Sequence, residues 1–285
     1  MSRPSRSECQ HLRGMVLAHC CATSLGVSPK GYAMARAFER LEGWDRGHEK
    51  SERWASELSG GTQSPARSAL MRKHCPELRL LGGHPIWSAL EGEVQSPQGW
   101  QHTLVRGEPD AATRIGVALD DPFQQLPEMA EPDHLTCLIM LLKSTPVGRT
   151  PHRIVFARGI MNSVAKLCLF PDWYPTRYRL KSLLECQLPL HDLYGCAATG
   201  EHPDHQVLDD AIEAYRLLFE WGHAAPLFHD LSEPAWAMFC CAFEHARPML
   251  RLEIVEALAD HQQRPASSFR LPLLRRLWHR ARNAT

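Results

Sequence analysis

Apolar residues recur along the chain at intervals of three and four, the spacing that gathers side chains onto one face of an α-helix. In DDAIEAYRLLFEW, Ile212, Tyr215, Leu218 and Phe219 share a face, and Leu250, Ile254, Val255 and Leu258 repeat the arrangement further on. After GRTPHRIVFARG at 148–159, Val164, Leu167 and Cys168 keep the same period. Strand-like patterns are scarce, confined to HTLV at 102–105 and RIGVAL at 114–119. Ser28-Pro29, Ser64-Pro65, Glu131-Pro132, Thr150-Pro151 and Glu233-Pro234 each put a proline after a polar residue. A serine or threonine caps the first turn, and proline at the first helical position gives up only an amide that has no partner there. Gly82-Gly83, Gly159, Gly200, Gly222 and Pro248 supply turn signals between these starts. The pattern predicts a mainly all-α chain of short antiparallel helices.

Aligned on its prolines, the chain repeats itself. Thr150-Pro151-His152 runs to Gly159 and on to MNSVAKLCL; Pro189-Leu190-His191 runs through AATGEH to LLFEWGHAAP; Glu233-Pro234-Ala235-Trp236 runs through FEHARP to RLEIVEAL. LRLLGGHPIW at 78–87 has the form of another such junction. These phrases resemble the ankyrin repeat, with its Gly-x-Thr-Pro-Leu-His start, Ala-Ala-x-x-Gly-His turn and Val-x-x-Leu-Leu-x-x-Gly-Ala end. The anchoring prolines, at 85, 122, 151, 189, 234 and 272, are unevenly spaced, whereas ankyrin units repeat about every 33 residues. The resemblance implies an ankyrin-like solenoid of stacked antiparallel helix pairs with degenerate repeats and room for short β-hairpins. It divides the chain into an N-terminal helical region at 1–77, either a cap or a separate small domain, an array at 78–262 and a C-terminal capping helix at 263–285.

Stacked wedge-shaped pairs leave an extended concave face. By the same resemblance, the hairpin tips on that face are Val147, Gly148 and Arg149 at one junction and Ala225, Leu227, Phe228 and His229 at the next. Leu227 and Phe228 serve equally well as hairpin packing. The matching first-helix positions are Ile154, Ala157 and Arg158, with Asp192 in the following unit.

Composition narrows the picture. With 44% hydrophobic residues the 285-residue chain can bury a large core. The longest apolar stretches, such as AWAMFCCAF at 235–243, reach about half of the ~20 residues a membrane span needs, so no span is expected. Near the N-terminus, Met15 to Ala18 is too short for a signal-peptide core and is cut by His19, which makes a cytoplasmic location the expectation. Ten cysteines occur without any CxxC, which excludes zinc ribbons and thioredoxin-type centres. Acidic and basic residues balance at 32 each, yet residues 1–80 carry 13 basic against 8 acidic. Arginine outnumbers lysine 26 to 6, which would favour bidentate phosphate contacts, although a GC-rich coding sequence gives the same skew and is the preferred account.

Candidate chemistry is sparse. His202, Asp204 and His205 have the spacing of metal ligands, with His223, His229, Cys240 and His245 elsewhere in the same region. Cys9, His11, His19, Cys20 and Cys21 form a second group with metal or nucleophile potential. Sixteen scattered histidines produce clusters like the first by chance, and His202 occupies the turn position of the ankyrin pattern; packing explains the second group equally well. Arg270, Arg275, Arg276, Arg280 and Arg282 could meet nucleic acid or anionic lipid, although a solvated helix end explains them more simply. No GxSxG, HExxH, GxxxxGK or GxGxxG occurs. Asp209-Asp210 opens a helix, where negative charge suits the dipole. The sequence favours a non-catalytic module or adaptor that recognises a protein partner and uses no cofactor. An enzyme or metal-dependent domain within 1–77 is the alternative, and nucleic-acid binding through arginine-rich helices ranks third.

Overall fold

The computed structural model describes residues 6–61, 63–91, 132–144, 150–188 and 205–224. Every regular element among them is helical, as the three-and-four spacing predicts, and none is a strand. HTLV and RIGVAL lie outside the described residues, as does the expected cap at 263–285. The chain divides into two units, Met1–Leu126 with Glu131–His202, and Pro127–Ala130 with Pro203–Thr285.

The first unit is organised around α1 (Arg6–Ser24). Cys9, Leu12, Val16, Ala18 and Cys21 are fully buried, and Met15, Leu17, His19 and Ala22 nearly so. Residues 14–19 are buried without a break, so the middle of this helix sits inside the core on every side. Helices α3 (Ser51–Leu58), α5 (Leu78–Gly82), α6 (Pro85–Glu91) and α9 (Arg177–Gln187) all pack against it. The Arg13 guanidinium donates to the Gly82 carbonyl, fastening α1 to α5. Leu78 belongs to the same cluster as Leu17, Cys21, Phe38 and Trp54. Leu78 thus packs in the same core as residues 17–75.

α2 (Gly31–Glu42) lies on α3 at close range. A β-carbon at Gly31 would strike the Ser51 carbonyl and the Ala55 amide, so only glycine lets the two backbones approach there. Phe38 stacks on Trp54 with ring centres 4.7 Å apart. α4 (Pro65–His74) begins as the Ser-Pro signal predicts, with the Ser64 hydroxyl accepting from the Arg67 amide at 3.3 Å. Ser28-Pro29 is less accurate: Lys30 remains extended and α2 starts at Gly31. Lys73 and His74 at the end of α4 both bind Glu42 at the end of α2.

The Gly82-Gly83 turn separates α5 from α6, as expected. α7 (Asp133–Ser144) starts directly after Pro132, and α8 (Thr150–Leu167) packs beside it. Gly159 departs from the sequence expectation. The repeat pattern ends a short first helix there, yet α8 runs unbroken through it for 18 residues. A β-carbon at this position would come within 3.1 Å of Leu138 on α7. The glycine is a close-approach point between helices, and their packing outweighs its ~1 kcal/mol helix penalty. Phe156, Ile160, Val164, Leu167 and Cys168 form the buried stripe. Beyond α8, Trp173 stacks on Trp87 at 5.7 Å, and a 3-10 turn (Tyr174–Thr176) leads into α9.

In the second unit the described element is α10 (His205–Ala224). Leu208, Ile212, Tyr215 and Leu218 are buried, the last three as their spacing predicts. Gly222, a turn signal in the sequence, lies inside this helix. Among the described residues no helix is long and apolar enough to cross a membrane.

Candidate functional site

Three arginines and a tryptophan meet where α2 hands over to the loop GWDRGHEK at 43–50. The inner face of α2 is apolar, with Met34, Ala35 and Phe38 buried, which leaves Arg36 and Arg40 outward one turn apart. The helix stops at Gly43, whose left-handed backbone (φ 70°) lets the chain turn back. The loop is then held by Glu39, itself only 4% exposed. One carboxylate oxygen accepts the Gly47 amide at 2.6 Å and the Glu49 amide at 3.2 Å. The Glu39 carbonyl also accepts the Trp44 amide at 2.8 Å.

The result is an open recess of 440 Å³ lined by Arg36, Glu39, Arg40, Trp44 and Arg46. The second Glu39 oxygen stands 3.7 Å from the Arg36 guanidinium. Arg40 donates to the Arg36 carbonyl at 3.3 Å. Among the described residues neither Arg40 nor Arg46 has a carboxylate at ion-pair distance. Trp44 is half-buried and rests against His48 with ring centres 4.4 Å apart. The arrangement can hold an anion through guanidinium forks and a flat group against indole.

The sequence did not point to this recess. Its signals were the basic excess in residues 1–80 and the Arg36/Arg40 pair on the polar side of a strongly amphipathic helix. The gathering of Trp44 and Arg46 beside them depends on Glu39 reaching into the loop, which spacing does not reveal.

Most of the partner face expected from the ankyrin resemblance, Val147, Gly148, Arg149, Asp192, Ala225, Leu227, Phe228 and His229, lies outside the described residues. Ile154 is half-buried on α8, and Arg158 lies on the same helix. Ala157, on the same helix, is fully buried. Of the metal candidates, His202 and Asp204 lie outside the described residues, and His205 is the first residue of α10.

The N-terminal cysteines and histidines do not converge. Cys9 and Cys20 are eleven residues apart in one helix, hence about 16 Å along its axis. The Cys9 thiol is directed to the Trp87 carbonyl at 3.7 Å. Cys21 lies 3.5 Å from Cys75. Burial first, then Glu91, pushes Cys9 up to about 12; burial first, then Asp172 and Glu77, does the same for Cys20. Such thiols are poor nucleophiles. His19 binds the Leu58 carbonyl at 3.2 Å, and burial holds its pKa below the ordinary histidine value. Among the described residues no three His, Cys, Asp or Glu side chains gather as a metal site. Lys143 serves the scaffold too, donating to Ala89 at 2.5 Å and Gln187 at 3.1 Å, while burial draws its pKa down to about 8.

No family model matches this chain, and neither a curated protein nor a solved structure matches it.

Proposed function

We propose that the chain is a non-catalytic recognition module that binds a protein partner through side chains presented on a rigid helical scaffold. The observation that carries this reading is the recess beside α2, where a buried glutamate fixes a loop and leaves two arginines without a carboxylate partner among the described residues. Interior ionisable groups such as His19, Lys143 and Glu57 are tied instead to carbonyls or to opposite charges. In this proposal the helices of 78–262 form a degenerate ankyrin-like array, with α8 a departure from the family's two-helix unit because it is unbroken at Gly159. The partner would meet the recess in addition to, or in place of, the hairpin tips at 147–149 and 225–229.

The test is quantitative capture from native lysate by the immobilised full-length chain, compared with Arg40→Glu/Arg46→Glu, Arg149→Glu and Phe228→Ala. A protein retained in stoichiometric amount by the wild type and lost with one of these variants supports the reading. Retention unchanged by all of them removes both proposed faces. Elemental analysis of the same preparation checks the alternative, since a stoichiometric transition metal would contradict a purely recognitional chain.

A further inference from the structure

We infer that the recess formed by Arg36, Arg40, Trp44 and Arg46 is a binding site for a phosphate monoester carried by a molecule with a planar ring. This rests on the reading of the chain as a recognition module and specifies what its recess recognises.

Charge selects the phosphate. Three guanidiniums and the Glu39 carboxylate line the recess, giving it a formal charge of about +2, and a phosphate monoester at neutral pH carries about −1.5 to −2. A carboxylate would leave half of that charge unmatched. Geometry agrees, because Glu39 spends one oxygen on the Gly47 and Glu49 amides and faces only Arg36 with the other. Arg40 and Arg46 keep guanidinium donors for ligand oxygens. Arg40 stands on a helix and Arg46 on a loop fastened at Gly47, so the backbone that carries each is held in place. Guanidinium forks match phosphate oxygens in pairs, which a single ammonium cannot do.

The indole selects the ring. Trp44 lines the same recess, and an aromatic face beside a phosphate grip stacks a planar group without demanding a particular hydrogen-bond pattern. The recess, 440 Å³ and open to solvent, has room for a small ligand. A nucleotide and a tyrosine phosphate share this chemistry, and they are separated by direct comparison.

The experiment is calorimetric titration of the full-length chain with AMP, O-phospho-L-tyrosine, inorganic phosphate and adenosine. At least one ring-bearing phosphate should bind about tenfold or more tightly than inorganic phosphate and adenosine. Whether AMP or phosphotyrosine binds better identifies the source. Arg40→Ala and Arg46→Ala should each weaken it about tenfold, the effect of losing one charge-assisted contact. Trp44→Ala should abolish the advantage over inorganic phosphate while leaving phosphate binding in place. Circular dichroism confirms that the exposed arginine variants remain folded. Failure of every phosphate ester to bind at millimolar concentration, or binding indifferent to Arg40 and Arg46, overturns the inference. If phosphates fail but protein capture is still lost in Arg40→Glu/Arg46→Glu, the ligand class is wrong and the recognition reading stands. If phosphates bind and no protein is captured, the site stands and the protein partner does not.

Discussion

Two clusters in the first 80 residues use the same side-chain types, a glutamate, arginine and a tryptophan, and put them to opposite ends. In the interior, Glu57 is 1% exposed and the Arg67 guanidinium lies 2.8 Å from its carboxylate and 5.8 Å from the Trp54 ring centre. The contact lacks hydrogen-bond alignment, so charge alone holds it. Burial still pushes the Glu57 carboxyl above its ordinary value, with Arg67 opposing. At the surface, Glu39 is satisfied by two backbone amides, which leaves the neighbouring arginines facing the recess. An arginine's availability is decided by what else satisfies the carboxylate beside it. Around Glu39 the loop amides hold the carboxylate and two guanidiniums are left for a ligand; in the core Arg67 is drawn into the charge pair with Glu57.

The comparison breaks most clearly at Arg67. Arg67→Ala leaves the Glu57 carboxyl without its cation inside the core, and should destabilise the protein by about 3 kcal/mol in denaturant unfolding while phosphate-ester affinity stays unchanged. Replacing both partners by Glu57→Leu/Arg67→Met should recover most of that loss. If the single change costs nothing, the interior pair is not a structural charge pair.

Next in size is Glu39→Ala. Two loop amides lose their acceptor, so stability should fall by roughly 2 kcal/mol, and ligand affinity should fall as Arg46 and Trp44 lose their fixed places. A variant of normal stability and affinity would show that the carboxylate does not organise the recess.

Arg40→Ala and Arg46→Ala should sit at the other extreme. Each should change unfolding free energy by less than about 0.5 kcal/mol, with the loss confined to binding. A stability loss equal to that of Arg67→Ala would erase the distinction between the two clusters.

The smallest effects come from pH. His19 has its pKa lowered in the fold, so the unfolded chain takes up the proton first; its contribution is complete above about 6.5 and is lost as pH falls below that value. Glu57 runs the other way, because its raised pKa contributes most below about 4.3 and loses ground as pH rises through the folded value. On acidification from pH 7.5, His19→Gln should lose less stability than wild type down to pH 5.5, and Glu57→Gln should lose more by about pH 4.3. Identical slopes for all three proteins would mean that neither group couples to folding.

Much of the helical architecture is legible in the sequence. Ile212, Tyr215 and Leu218 fall where their spacing puts them, Ser64-Pro65 starts a helix, and Gly82-Gly83 ends one. These features are local, set by side chains within one or two turns. Gly159 and Gly222 read as turns because glycine permits reversal, but permission does not compel it. The close pass of Leu138 on a separate helix gives Gly159 its purpose, and the single-chain pattern contains no trace of that contact.

Periodicity, caps and proline act over a few residues, and they are enough to make the chain helical, to start several of its helices and to choose the faces those helices bury. Folding in three dimensions was needed to make α1 the central helix, to join Leu78 to the core built by residues 17–75, and to let Glu39 rather than an arginine fasten the 43–50 loop. Those outcomes depend on which groups satisfy one another across turns and between helices, and such pairings come into existence only when the chain is folded.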